Sequence, residues 1–366
     1  MPRWLWALVP VGVIGYALSF FGVSESLLFV LTAVGLIPLA ALIGKATEEL
    51  AYRVGASAGG LLNASFGNVP ELVVGILALR AGLITLAQAT IIGSVIGNAS
   101  LVVGMSLFYG GLRNGIQHFS RDIVGHHAVL MVLAVASLAL PSLFAASAPH
   151  GNTQSLSVFV ACLLIGTYVG YMVYDIGGFR GGTVPEESDT VLPEEAEAVE
   201  ELVEADDGPE WSVRLSVFWL GTATVLVALE GDVLVGAVRP VTQSMGISEF
   251  FVGLVIIPIV GNVAEHFSAV QLAGRNKMDL SFAIASGSSI QVAVFVAPLL
   301  VLLSFIWHPM TLVFNPIEIA VLALVVAIFY FVAQDGESNW LEGVQLITLY
   351  IMAAAVFYFI PTPTGL

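Results

Sequence analysis

The chain has 366 residues, 58% of them hydrophobic and only 10% charged, with a mean hydropathy of +0.95. That is far too apolar for a soluble domain and marks an integral membrane protein. Its apolar runs are unbroken rather than alternating, which excludes a β-barrel, and the formal charge of −16 is concentrated in one segment, which argues against a nucleic-acid partner.

About 20 apolar residues cross a bilayer as a helix. The breaks between apolar runs predict spans near 4–22, 27–53, 58–81, 85–111, 122–146, 155–176, 212–238, 248–273, 279–305, 314–333 and 340–360. The expected fold is an all-α membrane protein of eleven transmembrane helices. The first run is read as a retained helix, because Tyr16 to Phe21 is bulky where a signal peptidase needs small residues. A cytoplasmic N-terminus puts Arg3, Lys45, Arg53, Arg113, Arg121, Arg180, Arg214, Arg275 and Lys277 inside and only Arg80 and Arg239 outside, which follows the positive-inside rule. Trp4, Trp6, Trp211, Trp219 and Trp340 fall mostly at span ends, as an interfacial belt requires. The single cysteine, Cys162, excludes an intrachain disulfide.

Between Thr183 and Glu210 stand twelve carboxylates and no Lys or Arg. Leu192, Val199, Leu202 and Val203 are interspersed with Glu194, Glu195, Glu197, Glu200, Glu201 and Glu204, a pattern that predicts a short amphipathic surface helix. Two readings stand: a solvated linker, or a weak divalent-cation sensor on the cytoplasmic face. The segment divides the chain into an N-terminal helix (1–26), a first half (27–182), the acidic linker (183–211) and a second half (212–366).

The two halves are related. At an offset of 194 residues, Gly67-Asn68-Val69-Pro70-Glu71 matches Gly261-Asn262-Val263-Ala264-Glu265, and the match continues through Leu86 and Leu280, Gly93-Ser94 and Gly287-Ser288, and Ala99 and Ala293. These copies lie in spans 3–4 and 8–9, so they enter the membrane from opposite sides. The expected arrangement is one extra N-terminal helix followed by two inverted five-helix repeats, with a site near the bilayer midplane where they meet.

A carboxylate at that depth costs at least about 2.5–3.5 kcal/mol, and no basic residue lies in 63–79 or 251–274 to offset it. Glu71 and Glu265 are therefore the candidate central ion-binding residues. Each follows its Asn by three residues and shares a helix face with it, and the preceding Gly permits local unwinding. Freed carbonyls, Asn68, Asn262 and the carboxylates form a cluster of hard oxygen ligands suited to Ca²⁺, and Ser94, Asn98, Ser288 and Gln291 add neutral donors at the same depth. Two carboxylates in a dry site need neutralising, and either protons or one divalent cation can do so. An antiporter needs that competition and a protein that changes shape only when the site is neutral. Other intramembrane acids are Glu48 and Glu49 in span 2 and Glu230 and Asp232 in span 7; Glu48, Asp232 and His266 are candidates for proton relay or gate. Glu48 lies close to Lys45, whereas Asp232 has no basic neighbour in sequence before Arg239. His126-His127 reads as an interfacial pair.

With these motifs, with the run Lys277-Met278-Asp279-Leu280 leading to Ser288-Ser289-Ile290-Gln291 and Ala297-Pro298, and with Ala46-Thr47-Glu48 in span 2, the chain resembles the Ca²⁺/H⁺ exchangers of the cation/Ca²⁺ antiporter superfamily over nearly its whole length. The resemblance implies proton-driven Ca²⁺ export from the cytosol by alternating access. Glu71 and Glu265 would be the Ca²⁺/H⁺ residues, Asn68, Asn98, Asn262, Ser288 and Gln291 would line the site, spans 2 and 7 would move, and Glu186 to Glu210 would sense cytosolic Ca²⁺. Pro70 and the doublet Glu230-Gly231-Asp232 depart from the family pattern. The nearest alternative is a Na⁺/Ca²⁺ exchanger of the same architecture, and a further one is a Ca²⁺-gated channel or sensor. No Ser/His/Asp constellation, phosphate loop or His-x-x-x-His motif points to an enzyme. The expected partners are Ca²⁺ as substrate and H⁺ as coupling ion, Mn²⁺ or Cd²⁺ as candidate co-substrates, the lipid bilayer and, in a homo-oligomer, a second copy of the chain; no cofactor is called for. A short N-terminus points to a prokaryotic plasma or inner membrane.

Overall fold

Long apolar runs leave their backbone no water to bond with in a bilayer, so they satisfy it internally as helices. The computed structural model describes residues 3–54, 66–148, 150–176 and 210–360. The helices are α1 (Arg3–Leu18), α2 (Glu25–Val54), α3 (Val69–Arg80), α4 (Ile84–Asn114), α5 (Arg121–Ser147), α6 (Thr153–Ile176), α7 (Val213–Met245), α8 (Glu249–Gly261), α9 (Val263–Gly274), α10 (Met278–Ser304), α11 (Pro316–Ala333) and α12 (Trp340–Phe359).

Among the described residues, eight of these are long and apolar enough to cross a membrane, and α8 with α9, bent by 61° at Asn262, makes a ninth. The spans expected at 4–22 and 58–81 correspond to the shorter α1 and α3, of 16 and 12 residues, and the opening part of the second, 55–65, lies outside the described residues. So does the acidic segment with Glu194, Glu195, Glu197, Glu200, Glu201 and Glu204. Most ends fall within three residues of expectation. α7 is the exception: it runs through Pro240 to Met245 instead of stopping near residue 238, because Val241 and Thr242 bury themselves beyond the proline.

α2 lies along α7 and carries α1 beside them; α4 packs on α8, α9 and α12, while α5 and α6 pack against α10. The α4–α8 crossing is close enough that a methyl group at Gly93 would meet the backbone carbonyl of Leu254. The loops are tied at both ends of the bundle. At one end Asn114 and Gln117 each donate to Ala273 O at 3.0 Å, and Gln117–His118 pairs antiparallel with Glu337–Ser338, Gln117 opposite Ser338. At the other, Gln88 donates to Thr311 O (2.8 Å) and Val313 O (3.0 Å), and His308 Nδ1 bonds Leu79 O at 3.0 Å. Arg80 and Arg239 belong to that second end, where Arg239 donates to Gly82 O and pairs with Glu249.

Candidate functional site

Both Gly-Asn motifs open a helix, and they do so with the same geometry. Asn68 has φ −93° and ψ 18° ahead of α3, and Asn262 has φ −95° and ψ 14° between α8 and α9. Each Asn carbonyl accepts the first intrahelical bond, from Leu72 N at 3.1 Å and His266 N at 2.9 Å. Each glutamate then stands in the first turn of its half-helix, where the free N–H groups and the positive dipole end favour an anion.

The partner helices are also matched. After Ser94 and Ser288, α4 and α10 pass through π-helical turns at Gly97–Val102 and Val292–Val296, a feature frequent at functional sites. The polar contacts cross between the halves. Asn262 donates to Ser94 Oγ at 3.3 Å, and Ser288 Oγ donates to Asn68 Oδ1 at 3.3 Å. Asn68 also donates to Gln291 Oε1 at 2.8 Å, and Asn98 donates to Ser288 Oγ at 3.0 Å. The six expected lining residues therefore fall in two clusters, Asn68, Asn98, Ser288 and Gln291 in one and Ser94 with Asn262 in the other, and every one except Gln291 is buried.

Among the described residues neither carboxylate of the motifs has a counter-charge. Glu71 is 4% exposed and neither of its oxygens has a hydrogen-bond partner. It lies against α8, where a methyl group at Gly261 would come within 2.9 Å of its Oε1, and it borders an apolar cavity lined by Leu36, Val74, Leu234, Ile257 and Val260. Glu265 is half-buried; Ser288 reaches its carboxylate, and its Oε2 is buried without a partner. Among the described residues no group of three His, Cys, Asp or Glu side chains converges. Two carboxylates, amide and hydroxyl oxygens thus make an oxygen-only donor set, the chemistry of a hard cation and not of a soft metal.

The candidate relay residues separate. His266 is 8% exposed with Nε2 unpartnered, directly behind Glu265. Glu48 lies near the end of α2, 4.0 Å from Lys45, whose shorter contact is to Glu49 at 3.0 Å. Asp232 departs from expectation: it is 58% exposed and lies 3.8 Å from Arg80, a basic partner supplied by α3 that span-by-span reading does not show. The buried acid of α7 is Glu230. His127 of the expected interfacial pair is 1% exposed and bonds Ser286 Oγ of α10 at 2.5 Å.

The family model for the sodium/calcium exchanger protein matches residues 25–177 and 215–359. The chain is 39% identical over 365 residues to the Ca²⁺/H⁺ antiporter of Synechocystis, covering 95% of each, and 36% identical to the Ca²⁺/H⁺ antiporter ChaA of Bacillus subtilis, covering 96% of this chain and 97% of the other. The crystal structure of the Ca²⁺/H⁺ antiporter protein YfkE superposes with a TM-score of 0.83 at 34% identity, covering 98% of this chain and all of that one. The chain belongs to the Ca²⁺/H⁺ exchanger family within the sodium/calcium exchangers.

Proposed function

We propose that this chain is a secondary transporter that exchanges Ca²⁺ for H⁺ across a cell membrane by alternating access. Eleven spans build it, counting α1 and the span that ends in α3, and the two five-helix halves are inverted with respect to each other. The carrying observation is the pair Glu71 and Glu265, two carboxylates at matched helix starts with no basic partner among the described residues and oxygen donors around them. Antiporter relatives at 36–39% identity over nearly the whole chain support the choice of ions. Ca²⁺ takes both carboxylates with Asn68, Asn98, Asn262, Ser94, Ser288 and Gln291 around it, while protons neutralise the same pair when Ca²⁺ leaves. A site occupied by neither keeps its charge and cannot be carried through the apolar layer that Leu36, Val74, Leu234 and Val260 form beside Glu71. His266 lies beside this exchange as a proton relay. No cofactor takes part, Mn²⁺ and Cd²⁺ are candidate co-substrates, and the acidic segment with Glu194 to Glu204 is a regulatory Ca²⁺ site in the cytosol.

The competing reading is Na⁺ coupling, favoured by Pro70 and by the breadth of the matched family. Liposomes decide between them. ⁴⁵Ca²⁺ uptake is expected under a pH gradient without Na⁺ and is expected to vanish in Glu71→Gln and in Glu265→Gln. Uptake only under a Na⁺ gradient would replace H⁺ by Na⁺, and uptake in both variants would remove the proposed site.

A further inference from the structure

One more carboxylate is buried with nothing to hold it. Glu230, midway along α7, is 1% exposed and neither of its oxygens has a hydrogen-bond partner. It fills a slot walled by glycines from two other helices: a methyl group at Gly12 of α1 or at Gly35 of α2 would collide with Glu230 Oε2, and Gly35 also rests on the Gly12 backbone. Three helices thus meet at this carboxyl with no side chain between them.

Among the described residues no counter-charge faces the slot. α1 presents Gly12 and α2 presents Gly35, and the neighbouring Gly231 of α7 packs on Leu77 of α3. Asp232 pairs with Arg80 instead. Lys45 stands ten residues along α2 from Gly35, about 15 Å away at the rise of a helix, and is engaged with Glu49. The slot has no donor for a bare carboxylate and, with backbone in contact with the oxygen, no room for a hydrated cation.

We infer that the Gly12–Gly35–Glu230 slot is a second proton site, separate from the central pair, which α1 closes and which takes up and releases one coupling proton per cycle. The inference rests on the antiport reading above. It gives α1, which lies outside both halves, a function: the helix can sit on α2 and α7 only when the carboxyl beneath it carries its proton, so proton uptake is tied to closure of the α2–α7 pair. The offset that relates the halves places Leu36 opposite Glu230, so the site occurs once and adds a single proton.

The test uses the full chain in membranes and dicyclohexylcarbodiimide, an apolar reagent that modifies protonated carboxyls, with adducts located by mass spectrometry. A Glu230 adduct is expected without Ca²⁺, and it should fall on saturating with Ca²⁺ along with those at Glu71 and Glu265, because the Ca²⁺-loaded form carries no coupling proton. Absence of a Glu230 adduct while Glu71 and Glu265 react overturns the inference and leaves the antiport reading standing. A Glu230 adduct whose yield changes less than twofold with Ca²⁺ while those at Glu71 and Glu265 fall overturns its part in coupling. Adducts at Glu71 and Glu265 that ignore Ca²⁺ overturn the antiport reading instead. In liposomes Glu230→Gln is expected to lower the number of protons moved per Ca²⁺ by one, read from a pH dye against ⁴⁵Ca²⁺; an unchanged ratio overturns the inference.

Discussion

The smallest unit of this site is a serine. Ser288 Oγ touches Asn68, Asn98 and the Glu265 carboxylate, so one hydroxyl joins both halves. Ser288→Ala leaves two buried amides short of a partner, each a loss of about 1–3 kcal/mol, and weakens Ca²⁺ binding. The expected result is about a tenfold lower apparent Ca²⁺ affinity, or ~1.4 kcal/mol, with transport retained at high Ca²⁺; an affinity within twofold of wild type would place Ser288 outside the site. Proton competition adds a pH dependence whose sign follows from mass action. In the proposed exchange Ca²⁺ would bind the charged pair and displace its protons, so apparent affinity is expected to rise with pH and fall in acid. Titrating ⁴⁵Ca²⁺ binding at several pH values checks this, and Glu71→Gln, with one carboxylate removed, flattens the slope. The glutamates and their Asn partners were legible from sequence because an intramembrane acid is expensive and because the motif occurs twice. The partner of Asp232 was not legible for the opposite reason: Arg80 is 152 residues away in the chain, and no local pattern encodes that meeting. Glu230 has no sequence signal that sets it apart from Asp232; only the packing of Gly12 and Gly35 does so.

At the scale of elements, α8 and α2 carry the arguments that spans alone do not. Gly261 ends α8 against Glu71, where an added methyl would stand 2.9 Å from Oε1. The contacting atom belongs to a movable side chain, so Gly261→Ala is expected to keep the fold while displacing the carboxylate. Thermal stability should stay within a few degrees of wild type while Ca²⁺ affinity drops severalfold. Gly93→Ala is the contrasting case, because its methyl meets the backbone of Leu254. Overpacking of that kind costs typically about 1–3 kcal/mol, so lower thermal stability is expected there whatever happens to transport. The link between α2 and α7 is a backbone grip at Trp211, whose N–H donates to Glu49 Oε2 (3.1 Å) and whose carbonyl accepts from Arg53 (2.6 Å). Since α2 and α7 come from different halves, Arg53→Ala loosens their coupling without touching the ion. A severalfold lower maximal uptake rate is expected at unchanged Ca²⁺ affinity, and an affinity change without a rate change would contradict this role. Hydrophobic length located the helices, but not where α7 stops. Pro240 reads as a terminator, yet burial of Val241 and Thr242 carries the helix on to Gly246, whose φ of 66° ends it. The two-residue strand pair at 117–118 and 337–338 was invisible for a similar reason, being formed only once distant loops are brought together.

For the molecule as a whole, the remaining question is which end faces the cytosol. The structure sorts the loops into two groups without reference to any membrane. Asn114, Gln117, Ala273 and the strand pair share one end, while Leu79, Gly82, His308 and Thr311 share the other. Basic residues sort with them: Arg113, Arg121, Arg275 and Lys277 flank the first group, and Arg80 and Arg239 lie at the second. A bias of this kind orients multispan proteins with the basic end in the cytosol, which would place the acidic segment preceding Glu210 there too, on the same side as Arg53 and its grip on Trp211. Cys162 is the chain's one cysteine and is exposed on α6, so Cys162→Ala provides a thiol-free background at little cost. In it, His118→Cys reports the first end, where the histidine side chain is 76% exposed, and Trp307→Cys reports the second, where the tryptophan is 39% exposed. A membrane-impermeant maleimide added to intact cells is expected to label Trp307→Cys at once and His118→Cys only after permeabilisation. The reverse order would turn the protein over, placing the acidic segment outside and making the direction of Ca²⁺ export the opposite of the one proposed.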